Sequence, residues 1–228
     1  MTDDAATRER FVRLGTDLAA LGITMDFAPV ADVTVGAADP TIGDRAASAD
    51  PAVAARTVVA AWRGLLAGGT VPVLKHFPGH GSVAADSHVA LPCQTASLEQ
   101  LSARDLVPFQ AAVDAGAPVV MMGHIDVVQL DPGVPSSLSP AAYGLLREGL
   151  GFDGVAVTDA LDMGAVPVGA PGEEVVRALA AGADLVLKPR DVAAAHAAIV
   201  AAVQSGALPR ERLEEAATRV AALQLWAG

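Results

Sequence analysis

A loop of eighteen residues, 75–92, carries an unusual density of ionisable side chains. It reads KHFPGHGSVAADSHVALP and holds three histidines, a lysine and an aspartate beside two prolines and two glycines. Asp86 and His88 are two positions apart, so in an extended segment the carboxylate can accept a hydrogen bond from one imidazole nitrogen. The other nitrogen is then free to give or take a proton, which predicts a proton-transfer pair.

A second carboxylate stands in a different setting. Asp159 ends the apolar run VAVTD, which predicts a rigid position at the end of a buried strand. Such a position suits a nucleophile or a group that stabilises charge. One fixed carboxylate facing one acid/base on a loop is the division of labour that retaining glycoside cleavage needs.

Each of these residues also has a structural interpretation. Asp86 and His88 can form a surface turn, His76 can be a core histidine, and Asp159 can cap a helix. For His80, between two glycines, we favour a role in shaping the loop. Lys75 can be a solvated rim charge, Arg45 can pair with Asp44 or Asp50, and His124 and Asp126 can have structural roles. A zinc or manganese site is less favoured, because the histidines lack a compact helical spacing such as H-E-x-x-H.

The elements that must position these side chains alternate along the chain. Five apolar runs predict buried strands, near Ile23, Val73, Val119, Val155 and Leu185. Helix starts are predicted at Asp50-Pro51, at Ser97 with Gln100, and at Ser139-Pro140, and stops at Gly68, Gly116, Gly149, Gly182 and Gly206. This alternation predicts a parallel α/β sheet.

Polar residues follow each of the first four strands, which favours a (β/α) barrel over a doubly wound sheet. They are Asp32, the histidines of the 75–92 loop, His124 with Asp126, and Asp159 with Asp162. In a barrel those strand ends share the face that carries the active site. With no linker or block of charge dividing the chain, we expect residues 1–228 to form a single domain.

Composition excludes some partners. The formal net charge is −11, from 26 acidic and 15 basic residues, which disfavours binding to nucleic acid or to anionic membranes. The single cysteine, Cys93, fits a reducing compartment. Because the sequence has neither an export signal nor an apolar run of about 20 residues, we expect a cytoplasmic protein that does not span a membrane.

Several segments resemble the bacterial β-N-acetylhexosaminidases of glycoside hydrolase family 3. The 75–92 loop is the most specific, and six others match in the same order: MDFAPVADV, IGDRAASADP, VVMMGHIDV, GVAVTDALDMGAV, AGADLVLKPRD and RLEEAATRVAALQLW. The resemblance implies a (β/α)8 TIM barrel and a retaining exo-glycosidase, without a cofactor, that releases terminal β-linked N-acetylglucosamine. Its substrates would be oligosaccharides or muropeptides, as in bacterial cell-wall recycling.

The resemblance also implies residue roles. Asp159 matches the nucleophile, His88 the general acid/base and Asp86 the carboxylate that polarises it. Arg45, Lys75 and His76 match positions that bind the sugar. No residue is matched to a metal.

This sequence departs from the family pattern at one point. The family's first three barrel strands, and the Asp-Gln-Glu-Gly-Gly-like motif that ends the third, have no counterpart in it. We therefore expect five strands of eight and open sheet edges, covered by a second copy or a complementing chain. Truncation, a split enzyme and decay all fit this expectation. The competing functions are an inactive or weakly sugar-binding remnant and, less favoured, a β-glucosidase, since those enzymes use a carboxylate acid/base and lack the Asp-Ser-His loop.

Overall fold

The chain alternates between strands and helices. A computed structural model describes residues 4–36, 41–83 and 85–227. The strands are β1 (Met25–Asp26), β2 (Val71–Pro72), β3 (Leu74–Phe77), β4 (Cys93–Gln94), β5 (Val119–Met122), β6 (Asp126–Val127), β7 (Val155–Ala160) and β8 (Leu185–Leu187). The helices are α1 (Asp4–Ala20), α2 (Pro51–Ala67), α3 (Leu98–Ala103), α4 (Val107–Asp114), α5 (Pro140–Gly144), α6 (Glu173–Ala181), α7 (Val192–Ser205) and α8 (Arg210–Ala227). Short 3-10 turns lie at Gly43–Arg45 and Ser136–Leu138, and a π-helical turn at Leu145–Gly149.

The main strands are parallel and follow one another in chain order. Strands β3, β5, β7 and β8 form one sheet in that order, and β1 pairs in parallel with β2. A bridge between Val30 and Lys75 continues the β1 pairing onto β3. Because only Val73 separates β2 from β3, the two act as one strand. This confirms the predicted parallel α/β sheet of about five strands, as expected for part of a barrel.

Both faces of the sheet are buried. In β5, Val120 and Met122 pack against the helices, while Val119 and Met121 belong to a second cluster on the opposite face. The second cluster includes Val220 and Leu223 at its margin, so α8 covers part of it. Burial on both faces explains why the strands appear in the sequence as continuous apolar runs.

The two outer strands each have an edge without a strand partner among the described residues. β1 pairs only with β2, and β8 only with β7. At these edges the apolar side chains are half-buried, in contrast to the buried core of the sheet: Met25, Phe27, Leu185 and Leu187. The expected open edges are therefore present in this part of the chain.

Three helices, α2, α3 and α5, begin where the sequence predicted. The Asp50 carboxylate accepts from two backbone N–H groups at the start of α2, Ser97 and Gln100 form a capping box on α3, and Ser139 caps α5. Gly68, Gly182 and Gly206 cap the ends of α2, α6 and α7, whereas Gly149 lies inside the π-helical turn. None of the described helices is long and apolar enough to cross a bilayer.

A buried cluster of charged side chains stabilises the amino-terminal ends of β7 and β8. The fully buried Asp184 carboxylate accepts from Arg147 at 2.5 Å, Arg212 at 2.7 Å and Arg219 at 3.3 Å. It also accepts from the backbone N–H of Ala156 at 3.0 Å. Since Asp184 precedes β8 and Ala156 lies at the start of β7, the cluster fixes these strands at the end away from the polar loops.

Candidate active site

Ionisable side chains gather at the carboxyl-terminal ends of the strands. Asp32 follows β1, Lys75 and His76 lie in β3, His124 follows β5, and Asp159 lies near the end of β7. Parallel strands bring these ends to one edge of the sheet. The charge of Asp159 acts on both Lys75 and His124, so residues from three strands share one electrostatic neighbourhood.

Asp32 is a fully buried carboxylate that organises the start of the segment 75–92. The first three residues of this segment belong to β3, so the loop predicted from sequence begins at Pro78. It accepts from the backbone N–H of His76 at 3.2 Å, from Nδ1 of the same residue at 2.8 Å and from the backbone N–H of His80 at 2.6 Å. Burial acts to raise its pKa, but the charge and hydrogen bonds of the two histidines outweigh burial and hold the pKa of Asp32 below its ordinary value. Among the described residues, no hydrogen bond involves Nε2 of His76.

Lys75 and Arg45 line a common pocket of about 710 Å³. Burial lowers the pKa of the Lys75 ammonium, the guanidinium of Arg45 lowers it further, and Asp159 acts in the opposite direction. Among the described residues Arg45 forms no ion pair with Asp44 or Asp50, the pairing considered from sequence. Two cations beside an open pocket suit a ligand rich in hydroxyl and carbonyl oxygens.

Asp159 is held within strand β7. Its Oδ1 accepts from the backbone N–H of Ala160 at 2.7 Å, and the residue is half-buried. The next α-helix along the chain, α6, begins only at Glu173, so the helix-cap interpretation does not apply. The second carboxylate oxygen, Oδ2, has no hydrogen-bond partner among the described residues and is open to a ligand.

His124 and Asp126 have structural contacts, as their structural interpretation predicted. Nε2 of His124 must donate to the carbonyl oxygen of Ala160, at 2.9 Å, because a carbonyl only accepts. In the neutral ring Nδ1 then accepts from the hydroxyl of Ser137 at 2.7 Å. Burial lowers the pKa of His124, which favours this neutral form. Asp126 accepts from the backbone N–H of Gly133 at 2.9 Å and holds its own loop.

The predicted hydrogen bond between Asp86 and His88 is present. Oδ1 of Asp86 lies 2.7 Å from Nδ1 of His88 and also accepts the backbone N–H of His88 at 2.9 Å. These two contacts, the backbone one first, lower the pKa of Asp86. The side chains are 44% and 66% exposed, so Nε2 of His88 can reach a molecule outside the protein core.

The backbone of this pair is docked on the segment that follows β7. The N–H of Gly164 donates to the carbonyl of His88 at 3.2 Å, and the N–H of Ala165 donates to that of Ser87 at 3.1 Å. Because this segment directly follows β7, which carries Asp159, the two sets of predicted catalytic groups lie on adjoining pieces of chain. Among the described residues His88 forms no hydrogen bond with Asp159.

The glycines of the 75–92 loop are explained by close packing. From sequence, these glycines and the small residues after them also predict that the segment 79–86 moves easily. This stays a prediction, and residue 84 lies outside the described residues. A Cβ on Gly79 would lie 2.7 Å from Cβ of Asp105, and one on Gly81 would lie 2.5 Å from the carbonyl oxygen of Val33. Gly79 also has φ of +125°, where a side chain is strained.

Sequence reasoning missed several groups that hold the loop. Ser87 contacts His80, the side-chain amide of Gln94 donates to Ser82 at 2.6 Å, and Arg104 donates to the carbonyl of Val33 at 3.0 Å. The sequence signal for Ser87 was its place between the two residues of the predicted proton-transfer pair. Within the described part of the chain, no three His, Cys, Asp or Glu residues are grouped so as to hold a metal ion.

Comparisons with known proteins agree with this geometry. A family model described as the glycosyl hydrolase family 3 N-terminal domain matches residues 5–223. β-Hexosaminidase LpqI of Mycobacterium tuberculosis is 40% identical over 219 residues, 92% of this chain and 56% of that protein. A β-hexosaminidase of Stenotrophomonas maltophilia is 42% identical over 176 residues, covering 76% and 52%.

The solved structures show the same similarity. A glycoside hydrolase family 3 β-N-acetylglucosaminidase from Paenibacillus sp. superposes with a TM-score of 0.95 at 38% identity, covering 99% of this chain and 44% of that one. The M. tuberculosis LpqI structure gives 0.90 at 40% identity, covering 96% and 66%. The chain spans about half the length of the curated relatives it matches.

Proposed function

Because this chain belongs to the family of glycosyl hydrolase family 3 N-terminal domains, we propose that it carries the catalytic groups of a retaining β-N-acetylhexosaminidase. The observation that supports this most is the pairing of a strand-held carboxylate, Asp159, with an Asp86–His88 pair docked on the segment that follows it. The names of the relatives, β-hexosaminidase and β-N-acetylglucosaminidase, favour this substrate class.

In the first step Oδ2 of Asp159 attacks the anomeric carbon of a terminal β-linked N-acetylglucosamine. The bond from that carbon to the leaving oxygen breaks, and Nε2–H of His88 protonates the oxygen as it departs. Asp86 stabilises the imidazolium beforehand and keeps Nδ1 of the ring as a donor. The product of this step is a glycosyl ester on Asp159 and a neutral His88.

In the second step a water molecule attacks the same carbon and releases Asp159. Nε2 of His88 now takes the proton from that water, which returns the ring to its starting state. Lys75, Arg45 and Nε2 of His76 are proposed to bind the hydroxyl and acetamido oxygens of the sugar. Lys75 and Arg45 line one pocket, the charge of Asp159 acts on Lys75, and His76 adjoins Lys75 in β3. The substrates would be cell-wall fragments, including muropeptides, or chitin-derived oligosaccharides.

The unpaired edges of β1 and β8 support a second element of the proposal. The half-buried side chains at both edges, Met25, Phe27, Leu185 and Leu187, indicate that a further segment covers them. We propose that a second copy or a complementing chain does so and that the 228-residue chain alone is weakly active or inactive, because a sugar held on one side loses orientation.

Trapping of the intermediate tests the mechanism. A 5-fluoro analogue of an N-acetylglucosaminyl fluoride slows the second step, so intact-mass spectrometry should show one added sugar, located by peptide mapping on Asp159. Asp159→Asn should not be labelled, and Asp126→Asn, a carboxylate bound to its own loop, serves as the matched control. Label on any other residue would contradict the assignment.

A further inference from the structure

Ser87 is a buried residue between two exposed ones. The side chains of Asp86 and His88 are 44% and 66% exposed, whereas Ser87 is only 2% exposed. Its carbonyl accepts from the backbone N–H of Ala165. The chain therefore turns its middle residue inward and its neighbours outward, and whatever holds Ser87 determines where the other two point.

The hydroxyl of Ser87 contacts a buried imidazole. Its Oγ lies 3.0 Å from Nε2 of His80, which is 1% exposed. The backbone N–H of His80 donates to the buried carboxylate of Asp32, and Gly81, the next residue, packs against the carbonyl of Val33. His80 is thus fixed on its backbone side to the first strand segment and on its ring side to Ser87.

We propose that His80 and Ser87 are positioning residues, whose contact fixes the direction in which the Asp86–His88 pair faces. The catalytic part of this inference rests on the function proposed above. Without the contact between His80 and Ser87, the hydrogen bonds from the backbone N–H groups of Gly164 and Ala165 must hold Ser87 and His88 against the segment that follows β7. The middle residue can then turn outward, and the Asp86–His88 pair loses its fixed direction relative to the segment that follows β7.

The geometry explains why a serine stands at this position. A hydroxyl can donate to or accept from an imidazole nitrogen, so the contact persists in either neutral tautomer of His80. Alanine would fill similar space and leave Nε2 of His80 buried without this hydrogen bond, a costly arrangement. Because Ser87 is adjacent to both Asp86 and His88 and faces inward, it sets their orientation without touching the substrate.

Amide hydrogen exchange on the 228-residue chain tests the contact without requiring turnover. The variants are Ser87→Ala, His80→Leu and His80→Gln, because glutamine keeps a side-chain amide that can bond to Ser87. Ser136→Ala is the matched control, a buried serine that donates to the carbonyl of Ile125. The reporters are the amides of Gly164 and Ala165, which bond to residues 87 and 88.

We expect Ser87→Ala and His80→Leu to lower protection of both amides about tenfold, the loss of one buried hydrogen bond. His80→Gln should keep most of that protection, and Ser136→Ala should leave it unchanged. None of the variants should change the protection of the amides of β5. If His80→Leu does not fold, Ser87→Ala and His80→Gln still decide. Unchanged protection in Ser87→Ala overturns the inference.

Kinetics separate positioning from a merely structural role. In whichever form of the protein shows Asp159-dependent turnover, Ser87→Ala should lower kcat on poor leaving groups about ten- to a hundredfold more than on activated aryl glycosides, with KM little changed. Equal losses on both would overturn the positioning role. Absence of any Asp159-dependent turnover would refute the proposed function instead, and the exchange result would still stand.

Discussion

Replacing Asp32 by asparagine removes the negative charge to which His76 and His80 donate hydrogen bonds. The carboxylate accepts from three donor groups, two of His76 and one of His80, and is fully buried. Hydrogen bonds to a charged group contribute about 1.5–3 kcal/mol each, and breaking a buried pair costs about 3–5 kcal/mol. Asparagine keeps one acceptor oxygen, so we expect the free energy of unfolding to fall by about 3 kcal/mol.

The pH dependence has a definite sign. The folded-state pKa of Asp32 is lowered, so its contribution is fully present above the unfolded value of about 3.9 and is lost as pH falls through the folded value. The difference in unfolding free energy between the wild type and Asp32→Asn should therefore be no smaller at about pH 5 than at pH 7. It should shrink only at more acidic pH.

Urea unfolding followed by circular dichroism at each pH measures this difference. Asp126→Asn is the matched control, because that half-buried carboxylate accepts one backbone N–H, from Gly133. It should lose no more than about 1 kcal/mol. An Asp32→Asn variant as stable as the control, or a difference that disappears between pH 7 and about pH 5, would refute the reasoning.

Three further predictions concern catalysis, the strand ends and assembly. Asp159→Ala should abolish nearly all turnover of an aryl β-N-acetylglucosaminide, whereas His88→Ala should be mild on aryl substrates and severe on natural sugars, as steady-state kinetics would show. Asp184→Ala should lower the free energy of unfolding in urea by about 3–5 kcal/mol, because three arginines lose a buried partner. The control Arg210→Ala, which removes an exposed ion pair with Glu214, should lower it by about 0–1 kcal/mol. Light scattering after size-exclusion chromatography should show an oligomer or aggregate. A monomer that melts cooperatively would contradict the proposal that another chain covers the edges of β1 and β8.

Much of the fold could be predicted because its signals are local. Continuous apolar runs located the five strands, and Asp50, Ser97 and Ser139 located helix starts, since capping depends on residues within one turn. Placing Asp159 at the end of a strand followed from the same runs. The hydrogen bond between Asp86 and His88 was predictable because the two residues are two positions apart.

The remaining features depend on contacts between distant segments. Asp32 bonds to His76 and His80, 44 and 48 positions away, and no periodicity indicates such a pairing. The glycines of the 75–92 segment predict freedom to move, and the sequence gives no sign of the close contacts of Gly79 with Asp105 and of Gly81 with a carbonyl, which only the folded chain brings near. Close approach and flexibility favour the same residue type, so sequence alone does not separate them.

The shortness of the two outer strands has a consequence for recognition. β1 has two residues and β8 three, and β8 is followed by Lys188 and Pro189. Edges this short, beside a charge and a proline, offer little backbone for indiscriminate strand addition and so oppose fibrillar self-association. A segment that completes the sheet must be selected chiefly by its side chains, through apolar groups complementary to Met25, Phe27, Leu185 and Leu187.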